Sequence, residues 1–316
     1  MKPEVMRPGM GSAMGLRDWG LLVLLSVLWG GSFFFVELVL AAGMAPLTAV
    51  LLRVGLGAVV LAVALRALGL PLPRGAVVWR ALAVMGLLNN ALPFTLFALA
   101  QGQIGGGLAA ILNAMTPILT VVALAAFADE RRPGFGRIAG VVCGFAGVLV
   151  MMSAGLAGDG VGGGAIWAKL ACLGAAGSYA LASVWGRRFR LLGVPPLSVA
   201  FGQCLCASGL LILPLMATGG VQLGAGGPQV WLAVAGLAVL STALAYVIFF
   251  RLLAKVGSLN VGLVTFLVPV SAVALGVIFL GERLAPAQMA GAGLIALGLV
   301  AIDGRAGAWL RRRVST

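Results

Sequence analysis

Apolar residues fill this chain in long unbroken blocks, without the 3.6-residue stripe of a helix that keeps one face in water. Between Arg80 and Asp129 lie 48 residues without a charge, and between Arg190 and Arg251 another 60. A helix needs ~20 apolar residues to cross the hydrocarbon of a bilayer, so each run holds two crossings. The polar, glycine-rich QGQIGGG (Gln101 to Gly107) divides the first run, and TGGVQLGAGGP (Thr218 to Pro228) divides the second. The same reasoning along the chain predicts ten spans, over residues 19–41, 46–66, 77–100, 104–127, 135–153, 166–186, 196–217, 230–250, 258–280 and 286–303. The first is too long for a signal-peptide core and lacks a small-residue cleavage site, so it reads as a span.

Composition turns this pattern into a class. Of the 316 residues 62% are hydrophobic and 9% charged, with a mean hydropathy of +1.14, whereas soluble domains carry about 25% charged residues. Too few polar side chains exist to cover a water-facing surface, and the chain reads as an all-α integral membrane protein. A net charge of +13 would raise nucleic acid as a partner of a soluble protein. Here its distribution gives another reason. Eighteen Lys and Arg fall in the tails and the even-numbered loops, Lys169 and Arg283 fall on the other side, and Arg53 lies within a span. Basic residues collect in cytoplasmic loops, so both termini are expected in the cytoplasm, with lipid rather than nucleic acid around the chain. Six of the seven tryptophans sit near span ends, where an interfacial belt belongs, and Trp29 alone is mid-span.

The chain has no histidine, and its four cysteines lie in apolar stretches without metal-ligand spacing. Neither a metal nor another cofactor is expected. Arg outnumbers Lys by 18 to 3 beside abundant Ala and Gly, the signature of a GC-rich bacterial genome, which points to a bacterial inner membrane. No oligomeric state follows from the sequence.

An internal repeat organises the spans. GMAPLTAVLLR (Gly43 to Arg53) reads against GVPPLSVAFGQ (Gly193 to Gln203) at an offset of 150. At an offset of 152, WRALAVMGLLNNALPFTLF (Trp79 to Phe97) matches WLAVAGLAVLSTALAYVIF (Trp231 to Phe249), and Pro117 matches Pro269. Five spans per half is an odd number, so the second half enters the membrane from the opposite side. The expected organisation is a cytoplasmic tail (1–18), a first repeat (19–153), an extracytoplasmic linker (154–165), a second, inverted repeat (166–303) and a basic cytoplasmic tail (304–316). Inverted repeats of this kind place a substrate site near the midplane between the halves.

These residues resemble a known family. WGGSFF (Trp29 to Phe34), the mid-span prolines Pro117 and Pro269, and the Glu-Arg pairs at Glu130 and Glu282 are similar to the EamA type of the drug/metabolite transporter superfamily. Within it the chain looks most like YddG-type exporters of aromatic and other neutral amino acids. The resemblance implies ten helices in two inverted five-helix repeats, alternating access and no enzymatic activity. Cation-selective relatives carry a carboxylate at the middle of the first span; the only acidic residue in this span's apolar run, Glu37, is off-centre. The expectation is therefore a central site without fixed charge, suited to neutral or zwitterionic solutes.

Polar groups deep in a bilayer are costly unless they meet a partner or a wet cavity. Candidate substrate-binding residues are accordingly Trp29, Asn89, Asn90, Asn113, Tyr179, Gln203, Ser241, Thr242, Tyr246 and Thr265. Ser183, Thr116 and Ser271 read instead as bonds between or along helices, worth ~1 kcal/mol each. Asn89-Asn90 aligns with Ser241-Thr242, Tyr179 with Trp29, and Tyr246 with Phe94, so both halves bring an aromatic and small hydrogen-bonding groups to equivalent places. Glu37 and Arg53 are expected to pair at an outer vestibule, where Arg53 could also draw the carboxylate of a departing solute. Glu130 and Glu282 are expected to cap spans 5 and 10, Pro117 and Pro269 to kink spans 4 and 9, and Gly140 with Gly144 to mark close helix packing. The function that follows is export of small neutral or zwitterionic metabolites by facilitated movement down a gradient. A multidrug transporter of the same fold, a channel and a membrane-embedded lipid enzyme are the rivals; the last lacks the histidine or clustered aspartates it would need.

Overall fold

The computed structural model describes residues 14–127, 135–153, 164–224 and 226–303. Among these there is no strand. Ten apolar helices follow one another: α1 Leu16–Ala41, α2 Pro46–Ala67, α3 Ala76–Gln101, α4 Gly106–Phe127, α5 Phe135–Ser153, α6 Gly164–Gly186, α7 Pro196–Ala217, α8 Pro228–Gly257, α9 Val264–Leu280 and α10 Pro286–Asp303. Seven are long and apolar enough to cross a membrane outright, and α5, α9 and α10 are shorter apolar helices. Pro opens α2, α7, α8 and α10, where the missing amide is one that no intrahelical carbonyl would have met. Glu130, Trp309 and most of both tails and of the linker lie outside the described residues.

The packing partners reveal the symmetry. Helix α1 lies on α9 as α6 lies on α4, and α3 lies on α6 as α8 lies on α1. Helix α3 also lies on α7 as α8 lies on α2, while α2 with α7, α4 with α9 and α5 with α10 are each their own counterpart. This is the pattern of two five-helix units related by an approximate two-fold axis in the membrane plane.

The α5–α10 pair rests on glycine. A Cβ on Gly140 would stand 2.6 Å from the carbonyl oxygen of Gly298, one on Gly298 2.7 Å from that of Gly140, and one on Gly147 2.7 Å from that of Gly291. Such backbone contact is what small residues permit between helices that gain nothing by hiding apolar surface from lipid. Gly144 meets Ile118 of α4 instead.

At the end of the bundle away from the termini, the two halves are tied together. Ala45 N donates to Gln222 O at 3.1 Å, Gln222 N to Thr48 Oγ1 at 3.0 Å, and Gly107 N to Glu282 Oε2 at 3.0 Å. Glu282 reaches that amide because Gly281, at φ 67°, ends α9 in the left-handed region and turns the chain back. Its carboxylate then fills a cradle of glycines: a Cβ on Gly105, Gly107 or Gly276 would come within 2.8, 2.6 or 2.5 Å of a Glu282 oxygen. Glu282 therefore caps α4, not α10, a correction to the expectation from the motif; a carboxylate belongs at the positive N-terminal end of a helix. At the termini end the halves share the ion pair Lys255 Nζ–Asp18 Oδ1, 2.6 Å, between α8 and α1.

Candidate functional site

Two stretches of wide helix set the middle of the protein. Leu87–Ala91 in α3 and Gly236–Leu244 in α8 are π-helical, and they hold Asn89-Asn90 and Ser241-Thr242. A π turn inserts a residue into the helical ladder and is common at functional sites. Pro93, which cannot donate to the ladder, follows the first. The second has no proline, and there Thr242 Oγ1 donates to the carbonyl of Leu237, five residues back, at 2.8 Å.

These turns border a cavity of about 1230 Å³ between the halves. Of the candidate residues, Trp29, Asn89, Asn113, Tyr179, Gln203, Ser241, Thr242, Tyr246 and Thr265 line it, with Phe94, Phe97, Phe249 and Phe250 supplying more aromatic wall. It reaches the termini end of the bundle through Arg187, Arg190 and Gly193–Pro196. The opposite end stops at the seal described above. Gln101 lies on the wall near that end, its Nε2 donating to Phe33 O at 2.8 Å while its buried Oε1 has no partner.

Asn90 departs from expectation. It is fully buried and does not line the cavity; its Nδ2 donates to the Tyr246 hydroxyl at 3.4 Å, behind the wall. Asn89 Nδ2 donates to Gln203 Oε1 and to the same hydroxyl, each at 3.3 Å. One tyrosine oxygen thus ties both asparagines of α3 to α8. The rings pack in sequence around it: Tyr246 on Phe250 at 6.1 Å, Phe250 against Phe249 at 5.1 Å, and Phe249 against Trp29 at 5.3 Å. Across the cavity Phe97 stacks on Tyr179 at 6.2 Å.

The expected Glu37–Arg53 pair does not form. Glu37 turns toward the seal, where its Oε2 accepts from Gly106 N at 2.9 Å and its carboxyl group meets that of Glu282. Arg53 turns inward. It is 8% exposed, lines the cavity, donates from Nε to Thr242 Oγ1 at 3.1 Å and sits 3.7 Å over the Phe94 ring. Two neighbouring helices at similar depth offered the pair in sequence; helix rotation sends the two charges to different neighbours. The expectation of an uncharged centre falls with it, because a guanidinium stands on the cavity wall.

Pro117 follows a break in α4 at Ala114–Met115, whereas α9 stays helical through Pro269. Ser26 Oγ and Ser271 Oγ join α1 to α9 at 3.1 Å, Thr116 bonds Asn113 Oδ1 at 3.2 Å, and Ser183 bonds Tyr179 O at 3.0 Å. No cluster of three potential metal ligands occurs among the described residues.

Comparison with known proteins agrees with this architecture. A crystal structure at 23% identity superposes with a TM-score of 0.64 over 95% of this chain and 99% of its own, a likeness of fold. Protein PecM of Dickeya dadantii (strain 3937) is 29% identical over 296 residues, 92% of this chain and 93% of PecM. The model of the EamA-like transporter family matches twice, over residues 19–153 and 165–302. With nearly the whole length matched, the chain belongs to the EamA-like transporter family, a multi-pass membrane transporter of the drug/metabolite transporter superfamily.

Proposed function

We propose that this transporter exports small amino-acid-like metabolites, aromatic and other neutral amino acids foremost, across the bacterial inner membrane by alternating access. The observation that carries the reading is the cavity between the halves, closed at one end by hydrogen bonds between them and reaching the other end past Arg187 and Arg190. Inverted repeats around a midplane site work by rocking one half against the other. With the termini in the cytoplasm, a placement that the charge asymmetry supports, this conformation opens inward, ready to load. The rings of Trp29, Tyr179, Tyr246 and Phe249 offer a face to an apolar side chain, and Asn89 and Gln203 offer amides to polar atoms.

Among the described residues the lining holds no carboxylate and includes Arg53, which disfavours the rival reading as a carrier of hydrophobic cations: the rings could meet such a solute, but the guanidinium repels its charge. Proteoliposomes loaded with radiolabelled phenylalanine or threonine provide the test. Saturable, protein-dependent efflux that accelerates with unlabelled solute on the far side is the expected outcome. Absence of flux for every neutral amino acid would reject the substrate class, and flux without saturation would favour a channel.

A further inference from the structure

Arg53 is a buried cation in a membrane helix, and among the described residues no carboxylate faces it. Its Nε is occupied by Thr242, but among the described residues no hydrogen bond engages its Nη groups. A guanidinium does not shed its proton to escape this. Contact with Phe94 offsets only part of the desolvation, since a cation over a ring gains about 2 kcal/mol where burying an ion loses several. Beside Thr242 in the chain stands a second loose end: Ser241, 1% exposed and on the same wall, has a hydroxyl without a partner. Among the described residues the wall carries Arg53 and Arg190 and no Asp or Glu. One cation stands at the open mouth and the other beside the midplane turn of α8, a field that gathers anions.

We infer that the cavity holds its solute as an organic carboxylate, with the Nη groups of Arg53 and the Ser241 hydroxyl as the anion's donors and the aromatic wall against its apolar body. A guanidinium meets a carboxylate with two parallel donors, each roughly twice as strong as a neutral hydrogen bond. An ammonium group finds only neutral oxygens here, so the amine of an amino acid is tolerated and not required. Aromatic monocarboxylates that lack it belong to the same substrate class. For these net anions an inside-negative membrane potential itself drives export, by a gradient of about 50-fold per 100 mV, with no coupling ion.

The inference rests on the central cavity being the solute site of the exporter, and the test separates the two. Three solutes share one ring and differ in charge: phenylpyruvate (anion), phenylalanine (zwitterion) and phenethylamine (cation). Calorimetric titration of each into the purified protein in micelles should show binding of the first two and none of the third. Arg53→Gln should weaken phenylpyruvate by about 30-fold or more, and Arg53→Lys should restore part of it. In proteoliposomes, phenylpyruvate efflux should follow an imposed potassium-diffusion potential, while phenylalanine efflux should not. Binding of phenethylamine, failure of phenylpyruvate where phenylalanine binds, or indifference of both to Arg53→Gln overturns the anion site and leaves the exporter reading intact. If none of the three binds, the anion site fails and with it the aromatic part of the exporter reading. The ranking in the unaltered protein decides the matter even if the variants do not fold.

Discussion

Thr242 joins Arg53 to a backbone carbonyl. Its Oγ1 accepts from Arg53 Nε at 3.1 Å and donates to Leu237 O at 2.8 Å, so one hydroxyl of the second half positions the cation of the first. Thr242→Val keeps the volume and removes both bonds. Leaving buried partners unsatisfied costs about 1–3 kcal/mol, so the melting temperature should fall and phenylpyruvate affinity should drop by roughly tenfold for each 1.4 kcal/mol lost. Thr242→Ser should recover most of both. Equal behaviour of Val and Ser would mean that the hydroxyl does not place Arg53.

Arg53 itself should separate stability from function. Exchanging a buried ion pair for apolar side chains of similar volume is often neutral or stabilising, by about 1–4 kcal/mol, because no charge is left stranded, and among the described residues Arg53 has no carboxylate partner to strand. Arg53→Met is therefore expected to melt at the same temperature as the parent or higher, in the absence of solute, while transport is lost. A clear fall in melting temperature would show Arg53 to be a structural group and not a ligand for solute.

The seal at the end away from the termini depends on bare glycines. A Cβ on Gly276 would lie 2.5 Å from Glu282 Oε2, so Gly276→Val should expel that carboxylate from the Gly107 amide. In a background lacking the four native cysteines, a cysteine placed at Ser32 on the cavity wall reports access. An impermeant thiol reagent added from the extracytoplasmic side should label Ser32→Cys several-fold faster when Gly276→Val or Glu282→Ala is present. Unchanged labelling would show that the Ala45–Gln222 and Thr48–Gln222 bonds hold the end closed unaided.

Glycines on α5 and α10 divide into contacts and bystanders. Gly140→Leu places atoms where the Gly298 carbonyl stands, 2.6 Å from the would-be Cβ, whereas nothing lies within 4 Å of a Cβ on Gly293. Overpacking of this kind costs about 1–3 kcal/mol or more. Thermal melting in micelles should fall by several degrees for Gly140→Leu and stay within error for Gly293→Ala. Equal effects would deny the close packing of this pair.

Much of this architecture was legible because a bilayer imposes its own period. Uncharged runs of 48 and 60 residues leave few ways to place the crossings, and the breaks at 101–107 and 218–228 fall where the helices end. The repeat offset pointed to Asn89-Asn90 and Ser241-Thr242 together, and both pairs do fall on equivalent turns. That those turns are π-helical was not readable, since one half has a proline beside the turn and the other has none. Rotation about a helix axis was equally hidden. Two consecutive amides cannot both face the cavity, and sequence alone did not say that Asn89 would and Asn90 would not. The same ambiguity misassigned Glu37 and Arg53, whose partners depend on about 100° per residue of helical phase. Glu282 was placed on the following helix because the sequence shows neighbours along the chain, while Gly107 is a neighbour only in space.

Among the described residues, no side chain of α5 or α10 reaches the cavity wall. The eight other helices can therefore exchange rings, amides and charges as cargo changes, while the glycine-to-glycine clasp of α5 and α10 persists as a keel. Families built on such a division of labour can diversify in what they carry without relearning how to fold, and their cargo is to be sought in α1–α4 and α6–α9.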